Sequence, residues 1–137
     1  MPNLFNDQVI VCNCGGTMEI DGKKLTKACG MATPCDVSTS LCRDETDKLA
    51  TAMTTANESG TKLVVACTQE TAIFDSIAED NGCPSPETVN IREMAGWSDH
   101  STSPLPKMIA LMRQAGDSKR PGRSLSLQSH GRCLIYA

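Results

Sequence analysis

The fold is decided by the stretch Gln8-Val9-Ile10-Val11-Cys12-Asn13-Cys14-Gly15-Gly16. Its continuous apolar run, without alternation, is typical of a parallel β-strand that is covered on both faces. The two glycines that follow allow the backbone to turn tightly. Two thiols one residue apart, at the end of a strand, are suited to binding a metal. The sequence therefore predicts a buried strand over residues 8–12 with Cys12 and Cys14 as candidate ligands.

Two further cysteines follow apolar runs in the same way. Cys42 closes the run 37–41 and Cys67 closes the run 63–66. The intervals from Cys14 to Cys42 and from Cys42 to Cys67 are 28 and 25 residues, which is about the length of one strand and one helix. Because the carboxyl ends of parallel strands share one edge of a sheet, we expect the four thiols to converge there as a metal site.

Helical patterns separate the strand candidates. The predicted strands cover residues 8–12, 37–41, 62–67 and 88–92, and the predicted helices follow caps at Asp21, at Thr46 or Asp44, at Thr68 and at Ser103. Glycines at 30, 60, 82 and 116 mark the helix ends. This alternation predicts an α/β fold, with a small parallel sheet of about four strands and helices on both faces, in a three-layer, flavodoxin-like arrangement.

Length and composition indicate one main domain. A chain of 137 residues can bury a core of its own, and we place this domain at residues 1–116. Residues 117–129 have no periodicity and include a basic run interrupted by proline and glycine, which is typical of a linker. Residues 130–137 are apolar and strand-like, and we interpret them as the first strand of a following, truncated domain that would contain Cys133.

Charge and composition exclude several classes of function. The net charge is −3 and aromatic residues make up 3% of the chain, so a nucleic-acid partner is not expected. The sequence has no secretory signal pattern and no membrane-spanning run, which predicts a cytoplasmic protein without a membrane partner. Eight cysteines in 137 residues fall below the density of disulfide scaffolds, so in a reducing compartment they are interpreted as metal ligands before disulfides. Zinc and an iron–sulfur cluster both accept four thiolates.

Three motifs carry a resemblance to a known family: residues 9–16 (VIVCNCGG), 63–68 (LVVACT) and 90–97 (NIREMAGW). Over roughly residues 8–115 the chain resembles the N-terminal domain of the heterodisulfide reductase A subunit and its bacterial iron–sulfur relatives. The resemblance implies a [4Fe–4S] cluster on Cys12, Cys14, Cys42 and Cys67, and an electron-transfer role in a larger oxidoreductase. It implies that FAD belongs only to the remainder of the parent protein, and that the partners are other domains or subunits of a redox complex. The chain departs from the family at Thr68-Gln69, where serine and proline are frequent, and at Ala95, where a cysteine is frequent.

Two alternatives to electron transfer remain open. The domain is a docking module with structural zinc or without metal, or it is a thiol enzyme that uses Cys67, whose position before a helix would lower its pKa. A phosphatase-like loop would need an arginine where Ile73 stands, and His100 and His130 are distant in sequence; no catalytic residue is therefore predicted for the main hypothesis.

Other residues near the predicted site have secondary roles. Arg92 is a candidate donor to cluster sulfides or to a partner's carboxylate, with a solvated arginine as the alternative, and Trp97 is expected to pack over the strand ends as a lid. Cys29, Cys35 and Cys83 are expected to be spectators, with Cys35 as a possible substitute ligand.

Overall fold

A computed structural model describes residues 7–67, 70–96 and 104–116, together with residues 125, 126, 128, 130, 131, 133 and 136. Strands and helices alternate along these residues. In chain order they are β1 (Gln8–Cys12), α1 (Gly22–Cys29), β2 (Val37–Ser38), α2 (Thr46–Glu58), β3 (Leu63–Cys67), α3 (Thr71–Asp80), β4 (Glu87–Asn90) and α4 (Leu105–Gly116). The predicted α/β class is confirmed.

The four strands form one parallel sheet with the order β2-β1-β3-β4. The chain passes from β1 to β2 on one side and then returns to place β3 on the other side of β1. In this strand order the direction of winding reverses between β1 and β3. Such a reversal leaves a crevice outside the carboxyl ends of the two strands, where ligands of open α/β sheets bind.

Helices cover both faces of the sheet, as predicted. On one face, α1 and α4 contribute Leu25, Met108 and Met112 to a core that includes Val11, Val64 and Ala66. On the other face, α2 and α3 contribute Leu49, Met53 and Phe74 to a core that includes Ile10, Val65 and Cys67. Alternate residues of β1 and β3 thus point into opposite cores, as the pleat of a strand requires. The sheet is the middle of three layers.

Helix α1 begins and ends where the sequence predicts. The Asp21 carboxylate accepts a hydrogen bond from the Lys24 backbone N–H at 3.0 Å, which satisfies one of the free donors at the helix start. At the other end Gly30 has a φ of +67°, a left-handed conformation that glycine adopts without a Cβ penalty. Leu25 and Cys29 of this helix are buried in the core that it shares with α4.

The predicted extent of β2 and the predicted cap of α2 are wrong. Strand β2 ends at Ser38, and the residue before α2 is Glu45, whose side chain does not cap the helix. The Glu45 carboxylate instead accepts hydrogen bonds from the Thr39 and Ser40 backbone N–H groups, both at 2.6 Å. Because these two amides bind a carboxylate, the segment after Ser38 leaves the sheet as a turn.

Smaller differences concern other boundaries. Strand β4 covers 87–90 and not 88–92, because the Asn90 side chain accepts the N–H groups of the residues that follow it. Ile73, predicted to belong to the buried stripe of α3, is 38% exposed, whereas Phe74 and Ala78 are buried. Pro104 lies directly before α4 and its carbonyl accepts from the Met108 N–H at 3.0 Å.

Some predictions lie outside the described residues. These are the caps at Thr68 and Ser103, the position of Trp97, and most of the linker predicted at 117–129. In the part of the chain that the structure describes, no helix is both long enough and apolar enough to cross a membrane.

Candidate functional site

The four predicted cysteines line one cavity, which we call the thiol cavity. It lies at the carboxyl edge of the sheet and has a volume of about 270 Å³. Ligand pockets for drug-sized molecules and cofactors range from about 300 to 1,000 Å³, so this space suits a small inorganic group better than a nucleotide cofactor. Its described lining consists of Cys12, Cys14, Gly15, Thr39, Ser40, Cys42, Arg43, Cys67, Glu70 and Arg92.

Cys12 and Cys67 end the two strands that flank the reversal of winding. Both are almost fully buried, at 1% and 2% exposure, and they lie next to each other because Val11 pairs with Ala66 in the parallel register. A hydrogen bond from the Cys67 thiol, aided by backbone N–H groups, lowers the pKa of Cys12 from 9.0 to about 6 although burial opposes the shift. One of these backbone donors is the Cys14 N–H, 3.4 Å from Cys12 Sγ. The hydrogen bond from Cys67 therefore favours the thiolate form of Cys12.

Cys14 lies in a turn with an unusual backbone conformation. Its φ is +53°, and the next two residues, Gly15 and Gly16, have φ values of +67° and +77°. For a residue with a side chain such a conformation costs on the order of 1–3 kcal/mol and is concentrated at functional sites. The Asn13 side chain supports the turn by accepting a hydrogen bond from the Gly16 N–H at 2.9 Å. This turn places the Cys14 thiol at the wall of the thiol cavity.

Arg92 contacts Cys14 directly. Its guanidinium Nη1 donates to Cys14 Sγ at 2.9 Å, across a sequence separation of 78 residues. Its Nε lies 3.5 Å from the Glu93 carboxylate. The sequence offers Arg92 as a candidate donor to cluster sulfides or to a partner's carboxylate, with a solvated arginine as the alternative, and in the structure it contacts one of the predicted ligand thiols.

Cys42 reaches the thiol cavity from a turn and not from the end of a strand. It is half-buried and lies four residues beyond the last residue of β2. The preceding residue, Leu41, is fully buried and anchors this turn in the core of the α2 and α3 face. Burial raises the pKa of Cys42, and the nearby Glu70 carboxylate and Cys12 thiolate raise it further. The predicted reason for its position is wrong, although the thiol does line the predicted edge.

Sequence reasoning missed five polar residues of this region, among them Thr39 and Ser40, which line the cavity. Arg43 and Glu70 line the cavity, and Glu45 holds the turn that carries Cys42. Arg43 directly follows a candidate ligand and Glu70 directly precedes α3, so their proximity to the predicted edge was a usable signal. The role of Glu45 had no such signal, because it depends on β2 ending early.

The remaining described cysteines do not line the thiol cavity. Cys29 and Cys35 pack in the core beside α1 and α4, and Cys83 packs near α3. Burial raises the pKa of Cys35 to about 11, with smaller effects from Asp36 and Cys29, so this thiol stays protonated at neutral pH. Cys133 is exposed.

The spacing of the thiols bears on the kind of metal group. Within the described ranges, no three His, Cys, Asp or Glu side chains are grouped as a single metal ion requires. A tetrahedral zinc ion with zinc–sulfur bonds of about 2.3 Å draws its thiolates to within about 4 Å of one another. A [4Fe–4S] cluster bonds each thiolate to a different iron and so holds the thiolates farther apart. The four thiols of the cavity supply the ligand number of either group, and Cys12 and Cys67 lie within hydrogen-bond reach of each other.

A buried hydroxyl lies beside Cys12 in the sheet. Ser38 pairs with Cys12 in the register of β1 and β2, is 1% exposed, and its Oγ has no hydrogen-bond partner among the described residues. Buried hydroxyls nearly always have a partner. Ser38 is not among the described lining residues of the thiol cavity.

Comparison with known proteins found no relative of this chain. No family model matches the chain, and neither a curated protein nor a solved structure is significantly similar to it. The resemblance carried by the three motifs therefore stays a prediction.

Proposed function

We propose that this chain is an electron-transfer module that holds a [4Fe–4S] cluster at the carboxyl edge of its sheet. Cys12, Cys14, Cys42 and Cys67 are the proposed thiolate ligands. The observation that carries the proposal is that these four thiols, from three separate turns, line a single small cavity beside the reversal of winding. Four cysteine thiolates are the usual ligand set of such a cluster.

The charges around the cavity favour Cys12 and Cys14 as thiolate ligands, whereas the raised pKa of Cys42 opposes the loss of its proton. Thiols must lose their protons to bind a metal, and the pKa of Cys12 is already lowered to about 6 by its hydrogen bond from Cys67. Cys14 receives a hydrogen bond from the Arg92 guanidinium. A cluster with four thiolates carries net negative charge, and two arginines with one carboxylate among the described lining residues offset part of it.

In this role the cluster supplies one-electron transfer, and the protein binds it, limits its contact with water and presents it to a partner. Burial of Cys12 and Cys67 places the inner side of the site in the core, whereas Cys14 and Cys42 are only half-buried. The half-buried side is the proposed path for electrons. The proposed partners are other domains or subunits of a flavin-containing oxidoreductase, as the family resemblance implies.

Anaerobic purification or reconstitution with iron and sulfide tests the proposal. The chain should be brown, should bleach on reduction, and should contain about four irons and four sulfides per chain for one [4Fe–4S] cluster. Serine at Cys12, Cys14, Cys42 or Cys67 should lower the iron content. Cys83→Ser and Cys133→Ser are matched controls that should keep it, because neither residue lines the thiol cavity. A colourless chain with stoichiometric zinc would favour the docking module with structural zinc.

One observation favours a second candidate function, thiol–disulfide exchange. Cys12 and Cys67 lie within hydrogen-bond reach of each other, and the hydrogen bond from Cys67 lowers the pKa of Cys12. For the thiol-enzyme alternative we therefore propose Cys12, in place of Cys67, as the attacking thiolate. The Cys12 thiolate would attack a partner's disulfide and release one thiolate. The Cys67 thiol would then lose its proton, attack the mixed disulfide and release the second thiol, leaving Cys12 and Cys67 oxidised as a disulfide.

The two candidate functions predict different results for the purified chain. For thiol–disulfide exchange, the metal-free chain should reduce glutathione disulfide, and both Cys12→Ser and Cys67→Ser should abolish a complete turnover. Iron and sulfide binding without disulfide reduction would leave electron transfer as the function.

A further inference from the structure

The turn after β4 holds Arg92 in a defined position. The Asn90 side-chain oxygen accepts hydrogen bonds from the backbone N–H groups of Arg92, Glu93 and Met94, at 3.2, 3.0 and 3.3 Å. Ile91 and Ala95, on either side of the turn, are buried at 0% and 6% exposure. The backbone that carries Arg92 is therefore fixed by a side-chain cap and by two apolar anchors.

The guanidinium is only partly exposed where it meets Cys14. The Arg92 side chain is 22% exposed, and its Nη1 lies 2.9 Å from Cys14 Sγ. A hydrogen bond with a charged donor or acceptor is about twice as strong as a neutral one, and partial burial reduces its screening by water and salt. Because an arginine guanidinium keeps its proton at any physiological pH, this positive charge is permanent.

We infer that Arg92 is a positioning residue that acts through Cys14: it stabilises negative charge on Cys14 Sγ and thereby raises the reduction potential of the cluster. This inference rests on the proposed function. Reduction adds one electron to the cluster and leaves its bonds to the protein in place, so the reduced state carries one more negative charge. A fixed positive charge on a ligand sulfur favours the reduced state, since net charge and hydrogen bonds to the sulfurs set cluster potentials.

The test compares single-charge variants of the full chain. Arg92→Gln removes the charge at the thiol, Arg92→Lys keeps a charge without the planar fork, and Arg113→Gln removes an equal charge from an exposed position of α4 outside the thiol cavity. The cluster is titrated with dithionite and followed by its visible absorption. Circular dichroism melting confirms that each variant is folded.

At one ambient potential, the ratio of reduced to oxidised cluster should fall at least tenfold in Arg92→Gln, which for one electron corresponds to about 59 mV. Arg113→Gln should change this ratio less than about twofold by screening at the surface, and Arg92→Lys should lie between Arg92→Gln and the unaltered chain.

Each contrary result has its own meaning. An unchanged potential in folded, cluster-loaded Arg92→Gln would overturn the inference while the proposed function stood. Failure of the unaltered chain to bind iron and sulfide would overturn the proposed function and the effect on potential together.

Discussion

Replacing Asn90 with alanine should destabilise the fold through one short turn. The Asn90 side chain is the common acceptor for three backbone N–H groups, and Asn90 itself pairs with Cys67 in the sheet. In the alanine variant these three donors lose their protein acceptor. Glu93 and Met94 are exposed and Arg92 is half-buried, so water can replace part of what is lost.

The expected loss of folding stability can be estimated from comparable side-chain caps of helices. Loss of a side-chain cap at a helix start costs about 0.5–2 kcal/mol, and a net hydrogen bond contributes about 0.5–1.5 kcal/mol. Because one oxygen serves three donors and two of them can bind water, we expect about 1–2 kcal/mol for Asn90→Ala. For a chain of this size, that corresponds to a melting temperature lower by about 3–8 °C.

Thermal melting followed by circular dichroism measures this effect, with two matched controls. Asn90→Asp keeps the acceptor oxygen and should recover most of the stability. Asn57→Ala removes the same amide group from an exposed position in α2 and should change the melting temperature little. The reasoning is refuted if Asn90→Ala melts with the unaltered chain, or if Asn90→Asp is destabilised as much as Asn90→Ala.

Three further predictions concern pH and the chain boundary. Hydrogen bonds from the Ser40 and Thr39 backbone N–H groups lower the pKa of Glu45 from its ordinary 4.5. The folding stability that these bonds contribute is therefore present above pH 4.5 and is lost as the pH falls through the lower pKa of the folded chain. In Glu45→Gln, the urea concentration at the midpoint of unfolding should depend less on pH in this acidic range. In the metal-free chain, ultraviolet absorbance of the Cys12 thiolate should titrate at about pH 6, and Cys67→Ala should move this midpoint upward because it removes the main donor. A chain that ends at Gly116 should keep the melting temperature of the whole, because α4 supplies the buried Met108 and Met112; a large loss would contradict the predicted boundary.

The order and type of the elements could be predicted because local signals agree. Apolar runs without alternation predicted the parallel strands, and cap and glycine signals predicted α1 to the residue. The convergence of Cys12 and Cys67 followed from one rule, that parallel strands end at a common edge. No pairing partner had to be known for that step, since any neighbouring parallel strands would place their last residues at this edge.

Other parts of the fold depend on side-chain contacts that compete with local strand or helix propensity and that the sequence pattern does not show. The run 37–41 has the composition of a weak strand, yet only two of its residues pair, because the Glu45 carboxylate binds the amides of Thr39 and Ser40. Periodicity alone placed Ile73 in the buried stripe of α3. The helix turns Phe74 and Ala78 to the sheet instead, and Ile73 lies at the edge of the stripe with 38% exposure.

The contact between Arg92 and Cys14 could not be predicted because it depends on the order of strands in the sheet. β4 pairs with β3, with Asn90 opposite Cys67, so the turn after β4 lies at the same edge as the thiols of the reversal point. Had β4 paired with the outer side of β2, the same turn would have lain beyond Cys42, with β2 between it and β1. Both orders are compatible with the alternation of strands and helices, and only the first brings residues 78 positions apart into contact. The short motif after β4 thus joins a side-chain cap, two core anchors and a charged donor, and its proposed role in the site depends on where the sheet places it.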